Sequence, residues 1–498
     1  MRGVATPITY LRREVFKNVA DAAYENWSVE QIQQIPNTMI EGDIPKYRET
    51  VEREREIVRA RVRLAMNMDL GNTFDDKYAE DFDLELLGSR RVSEDLLKVI
   101  PHACEACEEK SFFVTNSCHG CLAHPCVSVC PVNATSMQNG HSFIDQEACI
   151  KCGKCFDVCP YGSIVKNERP CVAACGVNAF TKDDQNRAVI IPEKCVACGM
   201  CMVSCPFGAI VDKSEIYQVI DKFKNRTQIS AIIAPAFIGQ FGDKVSPDQV
   251  IEGLHQLGFT DVKEVAYGAD ITAVEEARHF LKHVPVDQPY LATSCCPAWT
   301  KMAKNELKEQ AYCVSESSSP MVETANAIRK KYPDTKIVMV GPCSAKKLEA
   351  TYTDIHGNVD YVLTFEEVNA MFISRGIDLA SLVPTQKLND ASLDGRGFAV
   401  SGGVAAAVEN VIRRLDPDRV VKIEKAENLA NCRKMVLMAK AGKKDGYLLE
   451  GMACPGGCVG GAGTIINQNK AYGQVQAFSR SSDKSSALKT VEEIKQQG

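Results

Sequence analysis

Three cysteine runs share a spacing that suits iron–sulfur chemistry. They are Cys118, Cys121, Cys126 and Cys130 before Pro131; Cys149, Cys152, Cys155 and Cys159 before Pro160; and Cys195, Cys198, Cys201 and Cys205 before Pro206. Three closely spaced thiolates wrap one face of a cubane, and the fourth points away to a neighbouring cluster. Zinc also uses Cys-x2-Cys pairs, but zinc ribbons separate two pairs by a longer loop and have no use for the Cys-x3-Cys-Pro ending. The chemistry read here is one-electron transfer through [4Fe-4S] clusters.

A fourth unit is interrupted. Similar tails follow each closing cysteine: Pro131-Val132-Asn133-Ala134, Pro160-Tyr161-Gly162-Ser163, Pro206-Phe207-Gly208-Ala209, and Gly176-Val177-Asn178-Ala179 behind Cys175. Cys171-x3-Cys175 thus ends a broken motif, and Cys104-x2-Cys107 supplies the missing pair; a separate small metal site at Cys104 and Cys107 is the alternative. On this reading one ferredoxin-like module is inserted inside another. Crossed ligation as in two-cluster ferredoxins groups Cys118, Cys121 and Cys126 with Cys159, and Cys149, Cys152 and Cys155 with Cys130. It also groups Cys195, Cys198 and Cys201 with Cys175, and Cys104, Cys107 and Cys171 with Cys205. That gives three to four accessory [4Fe-4S] clusters. His102, His119 and His124 lie near these ligands and are assigned no metal.

Electron carriers of this kind do no bond chemistry themselves, so a reaction site is expected downstream. Three later segments carry unusual residues: Thr293-Ser294-Cys295-Cys296-Pro297-Ala298-Trp299, Gly341-Pro342-Cys343-Ser344-Ala345-Lys346-Lys347-Leu348-Glu349, and Glu450-Gly451-Met452-Ala453-Cys454-Pro455-Gly456-Gly457-Cys458. Cysteines at predicted strand ends, with glycines that permit close backbone approach, point to another cluster site, this one open to a substrate.

In order and spacing these segments resemble the signatures of the [FeFe] hydrogenases, TSCCPxW, PCxxKxxE and ExMxCxxGCxxGG. The resemblance implies reversible interconversion of protons plus electrons and molecular hydrogen. It implies an H-cluster: a [4Fe-4S] cubane on Cys296, Cys343, Cys454 and Cys458, with Cys458 bridging to a diiron subsite that carries carbon monoxide, cyanide and azadithiolate. Dedicated maturation proteins build that subsite. The resemblance makes Cys295 the proton donor and acceptor, places Lys346 against a cyanide, packs Met452 beside the iron pair, and puts Glu276 and Ser315 in the inner proton relay. A thiol pKa near 8.5 would suit Cys295 to this work. Family members place a second glutamate where this chain has His279, a candidate for the outer relay. Ala298, Gly341, Met321 and the GGAGT after the third segment also depart from the usual pattern and resemble a less-studied branch. Cys313 and Cys432 match no ligand and read as core thiols.

The elements that must position these residues are legible in outline. From about residue 211 apolar runs alternate with amphipathic segments, which predicts an α/β domain with largely parallel sheets, in two lobes, whose ligands gather at strand ends. Residues 1–100 predict a helical region, 101–210 the nested ferredoxin-like α+β region with its inserted module at 118–165, and 211–498 the catalytic domain. The charge run Lys46–Glu56 reads as a solvated helix face, with a docking arm for a partner subunit as the other possibility.

Composition narrows the classes. A formal charge of −6 with no long basic tract argues against nucleic-acid partners. No stretch approaches a membrane span or an export signal, and 23 cysteines without one suggest metal-bound thiolates in a cytoplasmic protein. Ferredoxin is the expected redox partner, because no G-x-G-x-x-G fingerprint follows a predicted strand. Rival readings are a hydrogen-sensing homologue, a non-catalytic iron–sulfur assembly relative, and a pure electron-transfer subunit.

Overall fold

The computed structural model describes residues 4–70, 95–352 and 358–497. Residues 71–94 of the expected N-terminal helical region lie outside them. The described part forms α1 (Pro7–Glu25), α2 (Val29–Met39) and α3 (Val51–Ala65). Each opens on a hydroxyl cap, Thr6, Ser28 and Thr50, accepting a backbone N–H of the first turn. Val15, Phe16, Val19, Val58 and Val62 share one core with the strand Ile229–Ile233, so these helices are packed onto the C-terminal half of the chain.

The charge run Lys46–Glu56 is solvated in part, with Lys46, Glu49 and Glu52 exposed, but α3 also turns charged side chains inward. Glu54 is 0 % exposed, and Arg61 and Arg63 are 3 % exposed. Each finds polar partners inside: Glu54 accepts the backbone N–H groups of Lys46, Tyr47 and Arg48, Arg61 donates to the Gly208 carbonyl, and Arg63 donates to the Asp69 carbonyl. Helical spacing tells which residues share a face. It does not tell that distant carbonyls will line the surface opposite.

Strand pairing in the cysteine-rich region is nested. Leu97–Val99 pairs antiparallel with Ile210–Asp212, and inside that frame Ser111–Val114 pairs antiparallel with Ile164–Asn167. Two short hairpins, Thr135–Gln138 with His141–Ile144 and Phe180–Lys182 with Ala188–Ile190, complete the two units.

The C-terminal half alternates strand and helix. Its elements are β1 (Ile229–Ile233), β2 (Asp261–Glu264), α4 (Val265–His283), β3 (Leu291–Ala292), α5 (Pro297–Leu307), β4 (Lys336–Gly341), α6 (Ser344–Glu349), β5 (Tyr361–Thr364), α7 (Gly403–Leu415), β6 (Lys422–Glu427) and β7 (Tyr447–Met452). One sheet has the order β2-β1-β4-β5 and a second β3-β7-β6, all pairs parallel. β1 is buried along its whole length, as a strand covered on both faces must be. Among the described residues no helix is long and apolar enough to cross a membrane.

Candidate active site and cluster pockets

The cysteine segments sit just past the ends of β3, β4 and β7, where parallel sheets leave their crevice. Local packing explains the rest of each motif. Trp299 donates from its indole N–H to the Thr293 carbonyl at 2.9 Å, and its ring lies where a Cβ on Gly451 would stand, 2.2 Å away. That lock fixes the Cys295–Cys296 turn against β7. A Cβ on Gly461 would meet the Pro342 carbonyl at 2.4 Å, and Gly463 N–H donates to the same carbonyl at 2.9 Å. The loop that follows Cys458 is thereby held against the loop carrying Cys343. Glu450, which sequence reasoning quoted without a role, accepts the Gly402 and Ala405 N–H groups at 2.6 and 2.8 Å and so caps α7.

The result is one cleft of about 830 Å³, counted to its open mouth, lined by Cys295, Cys296, Cys343, Cys454 and Cys458. Lys346, Met452, Met321, Met339 and Ala298 share its wall, as does Cys198 of the electron-carrying region. Burial pushes Cys343 and Cys458 up to about 12, so as bare thiols they keep their protons. Such a donor set holds thiolates only when a metal supplies compensating charge. Among the described residues no three His, Cys, Asp or Glu side chains converge as tightly as a single ion requires; the thiols face a space between them, which fits a polynuclear cluster.

Lys346 is the cation of this cleft. Burial works against its charge, but Glu349, one turn on in α6 and 2.6 Å from its Nζ, outweighs that and raises its pKa. The ammonium also donates to the Cys295 carbonyl at 3.3 Å. Cys295 itself differs from expectation. Burial and the neighbouring Cys296, Glu276 and Cys458 push its thiol well above the ordinary value, so the supposed match to neutral pH is absent. Cys295 holds its proton firmly.

Glu276 on α4 is wholly buried, and burial raises its carboxyl to about 7. Its Oε1 accepts the Ser294 N–H and hydroxyl at 2.9 and 3.1 Å, and Ser315 adds a weaker stabilising influence, while Oε2 is buried with no hydrogen-bond partner. Between about pH 4.5 and 7 the folded chain therefore binds a proton that the unfolded chain does not. The stabilisation is full below that window and lost as pH rises through it. Denaturation across pH 5 to 8 should show Glu276→Gln gaining on the parent by on the order of 2–3 kcal/mol; parallel curves would refute the assignment. His279 lies farther along α4, half-buried, its Nε2 2.8 Å from Gln288 Oε1 and its ring stacked at 4.5 Å on His283. Cys313 and Cys432 are buried core thiols, both 0 % exposed.

The accessory cysteines show why their motif repeats. Three residues after each closing cysteine the backbone is left-handed: Asn133, Gly162, Asn178 and Gly208. That turn aims the next N–H at the sulfur, and Ala134, Ala179 and Ala209 donate to Cys130, Cys175 and Cys205 at 3.2, 3.3 and 3.4 Å. Asn and Gly are the residues that tolerate this conformation best. A second left-handed residue falls two positions after the first cysteine of each unit: Gly120, Lys151, Ala197 and also Ala106 behind Cys104. Positive φ is rare outside glycine, so Cys104-x2-Cys107 shares the backbone of the cluster-binding pairs. Cys104, Cys107, Cys171 and Cys205 moreover line one pocket. Cys175, Cys195, Cys198 and Cys201 sense one another electrostatically.

The join between the two regions is tight and went unread in the sequence. Asp212 accepts from Ser344 and from buried Lys347, each at 3.0 Å, and Lys347 also reaches Glu367 at 2.8 Å. Gly199, with φ of 75°, leaves no room for a Cβ, which would stand 2.6 Å from Ala462. Gly199→Ala should cost about 1–3 kcal/mol through overpacking and strain. Its expected signature is slower electron delivery to the cleft with unchanged accessory-cluster content; unaltered stability would contradict the close approach.

Residues 227–462 match the family model for the iron only hydrogenase large subunit, C-terminal domain. Residues 110–160 match a 4Fe-4S dicluster domain and 148–208 a 4Fe-4S double cluster binding domain. The NADP-reducing hydrogenase subunit HndD of Solidesulfovibrio fructosivorans is 30 % identical over 63 % of this chain and 55 % of its own length. Iron hydrogenase 1 of Clostridium pasteurianum is 28 % identical over 47 % of this chain and 48 % of its own. The chain thus spans about half the length of these two relatives. The nuclear prelamin A recognition factor of Xenopus laevis is 24 % identical over 51 % of this chain and 69 % of its own length.

Proposed function

We propose, from the premise that this chain is an [FeFe] hydrogenase-like iron–sulfur protein, that it interconverts protons plus electrons with molecular hydrogen in the cleft lined by Cys296, Cys343, Cys454 and Cys458. The observation that carries this reading is the gathering of five thiols from three strand ends on one mostly apolar cleft, with a buried cation, Lys346, in its wall.

Cys296, Cys343, Cys454 and Cys458 would hold the H-cluster, which when bound supplies the iron pair at which hydrogen is made or split. The chain's own side chains do the rest. Cys295, protonated at neutral pH, delivers and recovers the proton at its sulfur. Glu276, with a carboxyl balanced near neutrality, takes up protons next, and Ser294 and Ser315 steady its charged form. His279, half-exposed beside His283, is a candidate for the outer step. Lys346 donates hydrogen bonds to anionic ligands in a low-dielectric wall, where they are strongest. Met452 and Met321 keep water out.

Electrons would arrive through the four cysteine groups, with the Cys175, Cys195, Cys198 and Cys201 group last in line, since Cys198 lines the cleft itself. We assign residues 1–100 to a helical region, 101–210 to the nested ferredoxin-like region and 211–498 to the catalytic domain. Ferredoxin as electron partner, dedicated maturation proteins and a cytoplasmic setting complete the proposal. Similarity to the prelamin A recognition factor favours a second reading, an iron–sulfur protein without hydrogen turnover. The presence of Cys295, Cys296, Cys343 and Lys346 together weighs against it. Hydrogen evolution from reduced ferredoxin by the matured chain decides between them; fully iron-loaded, matured protein that neither evolves nor oxidises hydrogen supports the second.

A further inference from the structure

The helices ahead of Cys104 match none of the family models reported above, yet their arginines bond the backbone carbonyls of the loops that border the pocket of Cys104, Cys107, Cys171 and Cys205. Arg48 donates to the carbonyls of Ala103 at 3.4 Å and Phe207 at 3.3 Å, bridging the loop before Cys104 and the loop after Cys205. Arg53 donates to the His102 carbonyl at 2.8 Å. Arg61 holds the carbonyl of Gly208, the residue before the N–H that bonds Cys205 sulfur. Arg169 lines the pocket itself and donates to the Asn186 carbonyl at 2.8 Å.

The charges do not balance within the protein. Glu105 pairs with Arg53 at 2.7 Å and with Arg48 at 3.6 Å. Glu54 is committed to three backbone N–H groups. Arg53 also pairs with Glu49 at 2.5 Å, so three carboxylates face four guanidinium groups, an excess of one positive charge. Arg61 and Arg169 are both buried, at 3 % and 5 % exposure, both have an Nε without a hydrogen-bond partner, and neither makes an ion pair with a carboxylate among the described residues. A buried charge without a counter-ion costs several kcal/mol. The groups that feel these charges include the thiols, Cys205 beside Arg61 and Cys107 beside Arg169, together with Tyr47 beside Arg61 and the carboxylate of Glu109 beside Arg169. A thiolate-held cubane is anionic and becomes more so on reduction, and net charge and burial are what set its potential. At the group beside the cleft a single lysine, Lys301, donates to the Cys195 carbonyl at 3.3 Å among the described residues, and Cys152 of the inserted unit is exposed.

We propose that the N-terminal helical region is an electrostatic tuner, in which Arg61, together with Arg169, raises the reduction potential of the cluster on Cys104, Cys107, Cys171 and Cys205 and makes it the accessory station that fills first. This rests on the reading that those four cysteines hold a [4Fe-4S] cluster. The cluster takes one electron from the donor side and passes one toward the cleft, and its cationic shell sets how strongly that electron is held between the two events. Its place suits a gate, because the inserted unit begins directly after Cys107 and Cys171 adjoins Cys201 of the next group.

The test is a potentiometric titration followed by electron paramagnetic resonance on the full chain, purified without oxygen and loaded with its accessory clusters. Arg61→Met should move the highest-potential signal downward by about tenfold in the one-electron equilibrium, about 59 mV, leaving the other signals in place. Arg61→Lys should restore most of that shift, and Arg169→Gln, in the wall of the pocket, should reproduce it even if Arg61→Met fails to fold. A midpoint unmoved in both Arg61→Met and Arg169→Gln overturns the tuning. Iron content separates that failure from failure of the cluster reading: Cys107→Ala should lose the highest-potential signal together with about four irons per chain. Unchanged iron in that variant would mean that no cluster sits there.

Discussion

Replacing Cys295 by serine is expected to lower hydrogen turnover by about 10²–10⁴-fold, the range that a positioned acid–base group contributes, while iron content stays at the parent level. The physical ground is the split between neighbours in one turn. Cys296 stands at the N-cap position of α5; burial raises its thiol too, but the N–H groups of Ala453, Trp299 and Ala298 and the ammonium of Lys346 work against that, which suits a ligand thiolate. Cys295 has burial, Cys296, Glu276 and Cys458 all raising its pKa, which suits a group that keeps a proton until one is demanded. A serine hydroxyl is a far weaker acid and nearly the same size, so geometry survives and proton supply does not. Parallel assays of turnover and iron in the matured variant check this; turnover within a factor of two of the parent would remove Cys295 from the proton route.

The second large effect concerns Lys346. Lys346→Met removes the buried partner of Glu349, and breaking a buried pair in this way costs about 3–5 kcal/mol. It also removes the one ammonium in the cleft wall, so turnover should fall below detection. Stability and function then separate in the double variant Lys346→Met with Glu349→Gln, which restores a neutral wall. That protein should regain most of the lost stability in denaturant titrations and still make no hydrogen. Recovery of turnover along with stability would show Lys346 to be only a structural partner of Glu349.

How much of this was legible in the sequence follows from what spacing encodes. Cysteine intervals and the repeated tails encode backbone conformation directly: Asn133, Gly162, Asn178 and Gly208 stand where a left-handed residue must turn an N–H onto sulfur. The alternation after residue 211 encodes parallel strands, and β1, β4, β5 and β7 are buried along nearly their whole length, as strands covered on both faces are. Contacts that depend on two distant segments meeting left no such trace. The burial of Glu54 and Arg61 in α3 needed the backbone N–H groups of residues 46–48 and the carbonyl of Gly208. The Asp212, Ser344 and Lys347 junction needed two regions docked. The raised pKa of Cys295 needed Glu276 and Cys458 placed around it. In hindsight the glutamate three residues after Lys346 was a visible signal for the ion pair, since that interval puts both side chains on one helical face.

The central claim is that the cleft of Cys296, Cys343, Cys454 and Cys458 holds an iron pair able to bind gas, and infrared spectroscopy of protein matured by a competent maturation system addresses it directly. The account predicts sharp bands from iron-bound carbonyl and cyanide groups, retained in Cys295→Ser and abolished in Cys458→Ala. A fully iron–sulfur-loaded, correctly folded chain that shows no such bands after that treatment would contradict it.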